Sequence, residues 1–187
     1  IMYERVKKIA EAASMMANVD YEMELISGIY EILPNRFGAG IIQNNFELLG
    51  EIKYTDSEID YANTILKETG KELKGLDGTI KPLRPTLPAQ GGSTDVGDVS
   101  QVVPVVRLRT TTAAKDGPWH SWAVVACTGM SIGHKGMIYA SKALAMTMLD
   151  LYKNPKLIDG VRKEFLVRKG DRVYVPQIPP GPPKLID

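Results

Sequence analysis

The side chains best suited to chemistry fall in two short stretches. One is Gly91-Gly92-Ser93-Thr94-Asp95-Val96-Gly97-Asp98-Val99-Ser100; the other, about twenty residues later, is Pro118-Trp119-His120-Ser121-Trp122. Together they set two carboxylates and one of the chain's two histidines into segments that read as loops. Loops on a rigid scaffold are where catalytic groups concentrate, and flanking glycines let the backbone approach a ligand or metal. Oxygen and imidazole donors together suit a borderline divalent ion such as zinc or manganese. A metal site takes about three or four protein ligands, and the chain offers few beyond these. The pattern is part of a metal site rather than all of one.

Each candidate has a plainer reading beside the chemical one. His120 is either a metal ligand or a histidine packed between Trp119 and Trp122 and bonded to a carbonyl. Asp95 and Asp98, set on either side of Gly97, either cap a turn and the next element or approach a metal, directly or by orienting one of its ligands. His134 opens the longest expected helix. There the helix dipole favours neutral imidazole, which could cap the helix or donate to a substrate carboxylate. Asn35 and Arg36 lie at a junction, where arginine can clamp a carboxylate through two parallel hydrogen bonds or simply face solvent. No GxSxG elbow, P-loop, GxGxxG or HExxH motif occurs, so a nucleophilic serine or a nucleotide-phosphate cradle has no support.

These residues need elements to position them. Residues 3–17 read as an amphipathic helix burying Val6, Ile9, Ala10, Ala13, Met16 and Ala17. Val19, Tyr21, Met23 and Leu25 then alternate with acidic residues, as in a strand with one wet face. After the junction Leu33-Pro34-Asn35-Arg36, Asn35 can cap a helix running to about Leu49, with Ile41, Ile42, Asn45, Phe46 and Leu49 inward and Gly50 as its stop. Thr55-Asp56-Ser57-Glu58 is a capping box. It opens a helix to about Thr69 that buries Ile59, Ala62, Ile65 and Leu66. Residues 71–92, with Pro82, Pro85 and Pro88, form a long surface excursion. Val102–Val106, extended by Leu108–Thr112, reads as a buried strand, with Pro104 placing it at a sheet edge. Trp122–Cys127 is a further apolar run. The longest helix spans about Gly133–Lys153, with Met137, Ile138, Ser141, Leu144, Ala145, Met148, Leu149 and Tyr152 as its buried face. Asn154-Pro155 starts another helix with Leu157, Val161, Phe165 and Leu166 inward and Gly170 at its end. A proline-rich tail, 176–187, is extended and either docked or loose.

Composition sets the outer bounds. With 187 residues, 44% hydrophobic and 24% charged, the chain is an ordinary globular sequence long enough for one good core. A net charge of +1 gives no reason to expect nucleic acid or an acidic membrane as partner. No apolar run approaches a membrane span of about 20 residues. The single cysteine, Cys127, excludes an internal disulfide and points to a reducing compartment, the cytoplasm. It lies in an apolar run and reads as a buried structural thiol.

Four motifs taken in order carry a resemblance. They are Ser27-Gly28-Ile29-Tyr30 with Leu33-Pro34-Asn35-Arg36, then Gly92-Ser93-Thr94-Asp95-Val96-Gly97-Asp98-Val99-Ser100, then Pro118-Trp119-His120-Ser121-Trp122, and last Ile132-Gly133-His134-Lys135-Gly136-Met137. Across most of its length, weakly over 70–90, the chain resembles the C-terminal part of the M20 family of metallopeptidases and amidohydrolases, in the branch of the aminobenzoyl-glutamate utilization proteins. The resemblance implies an α/β fold: the second half of a catalytic domain preceded by the last helix and strand of an α+β lid that dimerises. Residues 1–33 would be the end of the lid and 34–187 the returning catalytic half.

The resemblance also implies two zinc or manganese ions per complete active site. His120, followed by Ser121, matches a family histidine that ligates one of them. Asp98 aligns with the aspartate of an acidic-phenylalanine motif, although Val99 stands where the phenylalanine would be. His134 takes no family role. The early motifs that supply the other metal ligands, the bridging aspartate and the glutamate general base have no counterpart here and would precede residue 1. On this expectation the chain is a piece of a longer polypeptide or a truncated product, and no catalytic base lies within it. The implied activity of the parent is hydrolysis of an amide bond to glutamate, as in p-aminobenzoyl-glutamate or a related acyl-amino acid or dipeptide. Its partners would be that small substrate, the preceding part of the same polypeptide and a second copy through the lid. The alternative is a non-catalytic family member that keeps only dimerisation and packing surfaces.

Overall fold

The structure is a computed structural model that describes residues 2–84, 92–178 and 180–182. Its regular elements, among the described residues, are all helices: α1 (Met2–Ala17), α2 (Arg36–Leu49), α3 (Asp56–Glu68), α4 (Val96–Val102), α5 (Trp122–Thr128), α6 (Ser131–Lys153) and α7 (Pro155–Lys169). Three helix starts follow directly from local hydrogen-bonding chemistry. Asn35 accepts from the Gly38 N–H at 2.8 Å. The Thr55–Glu58 capping box forms in both directions. Asn154 accepts from the Lys156 N–H at 3.2 Å with Pro155 in the first turn.

Two packed groups hold the body together. In the first, α3, α5 and the start of α6 enclose Ala62, Ile65, Leu66, Ala114, Ala123, Cys127 and Ile132, with Tyr54, Tyr61 and Leu76 against them. Cys127 is fully buried here, as its apolar run implies. In the second, α2 lies against α6 and α7. Ile41, Ile42 and Asn45 of α2 are buried, as are Val161 and Phe165 of α7. Asn45 donates to Thr147 at 3.0 Å and to Asp150 at 2.8 Å, which satisfies its buried amide against α6. The phenol of Tyr139 donates to the Gly50 carbonyl at 2.8 Å and stacks on Phe46 with ring centroids 5.4 Å apart.

Several sequence expectations are corrected. The strand expected at Val19–Leu25 and the one at Val102–Val106 do not form, and the described residues hold no sheet of the expected α/β fold. A strand is stable only beside another. Here extended segments meet through isolated backbone bonds, such as Ile52 N–H to Gly78 O at 3.0 Å and Lys115 N–H to Gly75 O at 2.9 Å. Val19, Tyr21 and Met23 consequently stay exposed. The apolar face of α1 is not buried: Val6, Ile9 and Met16 all face solvent, and the helix contains no buried residue. Trp122–Cys127 is helical.

On α6 the buried face differs from the one that periodicity implies. The buried stripe is Ile132, Gly133, Gly136, Ala143 and Thr147. Met137, Ile138, Leu144, Met148, Leu149 and Tyr152 are exposed. The cause is close approach, which selects small residues: a Cβ on Gly133 would strike the Thr128 carbonyl, and one on Gly136 the Thr111 carbonyl. On α7, Leu166 likewise faces outward. Residues 71–84 carry no helix or strand, in keeping with the surface excursion, while Pro85 and Pro88 lie outside the described residues. So do the tail residues 179 and 183–187.

Candidate functional site

His120 sits in the turn that leads into α5. The chain reverses at Lys115-Asp116, where Asp116 has φ 60°, and Gly117 N–H bonds Ala114 O at 3.1 Å. Ser121 precedes the first residue of α5 and donates its hydroxyl to the Pro118 carbonyl at 2.6 Å. Behind the turn, Ala123 and Cys127 are anchored in the core, and Tyr61 donates to the Ala126 carbonyl at 3.4 Å. The base of the loop is thus fixed while its tip stands in solvent. His120 is exposed, and Trp119 and Trp122 are 70% and 55% exposed. His120 also adopts φ 58°, a left-handed conformation that costs a non-glycine residue roughly 1 kcal/mol. Packing between the two indoles is therefore not what holds this histidine. It stands exposed on a turn tied by Ser121 and backed by the buried Ala123 and Cys127.

The other candidates do not gather around it. Asp95 is exposed in the turn before α4 and makes no side-chain cap. Asp98 is within α4 rather than in a loop. Its Oδ2 accepts from the Tyr30 N–H at 3.2 Å and its Oδ1 from the Tyr174 hydroxyl at 3.0 Å, so both carboxylate oxygens are engaged in tying chain segments together. Asn35 is buried, with its side-chain amide donating to Val161 O at 2.8 Å. Arg36 donates to the carbonyl of Arg84. His134 is exposed and lies inside the first turn of α6, which starts at Ser131, so it does not cap the helix. Among the described residues no group of three or more His, Cys, Asp or Glu side chains is placed to hold a metal ion.

Two charged centres go beyond what the sequence motifs indicate. Glu58 closes the capping box of α3, yet it is also buried and ties α3 to α6. Its Oε1 accepts from the Ser131 hydroxyl at 2.6 Å. Its Oε2 accepts from Lys135 Nζ at 2.6 Å and from the Thr55 N–H at 2.7 Å. Burial pushes this carboxyl up, but the hydrogen bonds from Lys135, Ser131 and Thr55 outweigh it and hold its pKa at about 2. Lys135 also donates to Lys53 O at 2.9 Å and lies 5.5 Å from the centre of the Tyr54 ring. The informative residue of the motif around His134 is therefore its neighbour Lys135. Its signal in the sequence is a basic side chain at a helix start, where the dipole disfavours it unless an acid lies opposite.

Asp77 is the second centre. It accepts from the Thr79 hydroxyl at 2.6 Å and pairs with Lys81 at 2.9 Å and Lys115 at 3.3 Å. The Thr79 hydroxyl first, then Lys81, hold its carboxyl well below the usual range. Through Lys115 it braces the chain just before the His120 turn.

The glycine-rich motif is explained by packing. Gly97 lets α4 press on residue 30, because a Cβ there would meet the Tyr30 carbonyl. Ser100 then accepts from Leu33 N–H at 2.9 Å, and Gln101 donates to Glu31 O at 2.8 Å.

Known proteins share parts of this sequence. No protein-family model matches the chain, and no solved structure does. It is 28% identical over 188 aligned residues to a subunit of the p-aminobenzoyl-glutamate hydrolase of Escherichia coli (strain K12), an alignment covering 87% of this chain and 39% of that protein. It is 38% identical over 79 residues to Xaa-Arg dipeptidase of Mus musculus, covering 42% of this chain and 18% of that protein. The chain thus spans well under half the length of the curated relatives it matches. Both likenesses agree with the resemblance carried by the four motifs: this chain is similar to the C-terminal part of the M20-family amidohydrolases.

Proposed function

We propose that the chain is the C-terminal portion of a metal-dependent amidohydrolase that cleaves an amide bond to glutamate, or the bond of a related acyl-amino acid or dipeptide. The two relatives support this reading through the activities they are named for, a p-aminobenzoyl-glutamate hydrolase and a dipeptidase. The observation that carries it to a residue is the exposed His120 on its anchored turn.

The described residues do not by themselves make up a metal centre. His120 would contribute one ligand to a divalent ion, zinc or manganese. The remaining ligands and the general base would come from outside these residues. What this chain supplies is the placement of that imidazole: the Ser121–Pro118 hydrogen bond and the buried Ala123 and Cys127 keep the backbone from collapsing around it. In this reading Asp95 and His134, both exposed, are free to meet substrate, whereas Asp98, Asn35 and Arg36 act structurally. Residues 1–33 close a lid domain through which two copies pair, and 34–187 complete the catalytic domain. The single cysteine suits the cytoplasm. No helix among the described residues is long and apolar enough to cross a membrane.

The test is hydrolysis of p-aminobenzoyl-glutamate and a dipeptide panel by the full gene product, with bound zinc and manganese measured alongside. Metal-dependent cleavage lost in His120→Ala is the expected result. A folded gene product with neither metal nor turnover would instead favour a non-catalytic interaction module.

A further inference from the structure

The segment Arg172–Gln177 crosses the place where residues 2–29 leave the helical body. Tyr174 donates to Asp98 Oδ1 at 3.0 Å, and its ring lies 5.5 Å from that of Tyr30. Tyr30 in turn donates its hydroxyl to Val175 O at 3.0 Å and accepts from Gln177 Nε2 at 2.9 Å. Gly28 lies directly beneath: a Cβ there would stand 2.7 Å from Gln177 Cβ and 3.3 Å from the Gln177 carbonyl. On the opposite side, α4 holds Tyr30, Glu31 and Leu33 through Asp98, Gln101 and Ser100. Residues 30–33 are thus gripped between α4 and residues 172–177, while α1 beyond them contains no buried residue.

From this arrangement we infer that Arg172–Gln177 is a latch that sets the direction in which the amino-terminal arm, residues 2–29, leaves the body. Asp98 is its keeper. One carboxylate oxygen holds the backbone of Tyr30, where the arm joins the body, and the other holds the latch, so a single side chain couples the two segments. Releasing the latch widens the range of directions the arm takes about residues 30–33 without unpacking the helices. The inference is independent of the proposed reaction, since it needs neither metal nor substrate.

Two unrelated lesions lift the latch. Tyr174→Phe removes only the hydroxyl that reaches Asp98. Gly28→Ala adds only the Cβ that Gln177 excludes, and Gly28 does not have the positive φ that would make alanine strained. Spin labels placed by Glu11→Cys on α1 and Lys163→Cys on α7 report the arm, because the one native cysteine, Cys127, is fully buried and escapes labelling. In the full chain, each lesion should broaden the label-to-label distance distribution. Each should also speed hydrogen exchange at residues 28–33 about tenfold, the size expected for losing roughly one hydrogen bond. Exchange in α3, α5 and α6 should not change. Unaltered distances and exchange would overturn the latch, as would faster exchange spread equally through α3, α5 and α6. A response to one lesion without the other would overturn it too, since the hydrogen bond or the steric fit would then be acting alone.

Discussion

Lys135 Nζ lies 2.6 Å from Glu58 Oε2, joining the first turn of α6 to the first turn of α3. Glu58 is buried and Lys135 is about one-third exposed, at 35% of its side chain. The pair is neither a solvated surface contact nor a fully desolvated one. It fixes the relative height of the two helices that pack around α5, the helix entered from the His120 turn.

Acid should therefore weaken the fold through Glu58. Its carboxyl falls from 4.5 to about 2 on folding. A depressed carboxylate stabilises the native state above its unfolded pKa and loses that contribution as pH falls through the folded one. The loss should run from about pH 4.5 down to about pH 2. Glu58→Gln should flatten stability across that window in chemical denaturation. At neutral pH it should cost about 1–2 kcal/mol, a buried-pair value reduced for the exposure of Lys135.

His120→Gly separates strain from chemistry. Glycine accepts the left-handed backbone at φ 58° without penalty, so thermal stability should hold or rise by up to about 1 kcal/mol. Metal retention and amide hydrolysis in the full gene product should fall as far as in His120→Ala. A drop in melting temperature would show that the imidazole supports the turn.

Asp98→Ala should act on the fold alone. Both carboxylate oxygens are occupied by Tyr30 and Tyr174, so removing them should cost about 1–3 kcal/mol while metal stoichiometry stays as in the parent. Loss of metal from a folded Asp98→Ala protein would return this residue to the metal site.

Gly136→Ala reverses the usual helix rule. Alanine in a helix normally gains about 1 kcal/mol over glycine. Here its Cβ would press on the Thr111 backbone carbonyl, so a net loss of about 1–3 kcal/mol is expected from overpacking. Thermal denaturation beside Gly40→Ala, where nothing lies within 4 Å of a new Cβ, gives the control.

What is legible in the sequence is what is decided within a few residues. The caps at Asn35, Thr55 and Asn154 are short-range hydrogen bonds, and they form as their residue types imply. The burial of Cys127 follows from its immediate neighbours. What the sequence hides depends on distant partners. Val19–Leu25 has the alternation of a strand but pairs with no neighbour among the described residues. On α6, periodicity points to the large apolar residues, whereas contact with Thr111 and Thr128 selects Gly133 and Gly136. The glycine-aspartate motif has the look of a ligand loop because glycine permits close approach to anything. What approaches here is the chain's own residue 30.

The outward stripe of α6 also has a consequence for how this chain should behave in bulk. Met137, Ile138, Leu144, Met148, Leu149 and Tyr152 present a row of apolar side chains to water, and a net charge of +1 provides little mutual repulsion between copies. Methionine adapts its shape to many surfaces, so encounters along this row need little geometric selectivity. Colloidal stability should then depend on concentration and temperature: cooling weakens apolar association and disperses the chain, and excluded salts such as sulfate promote its clustering.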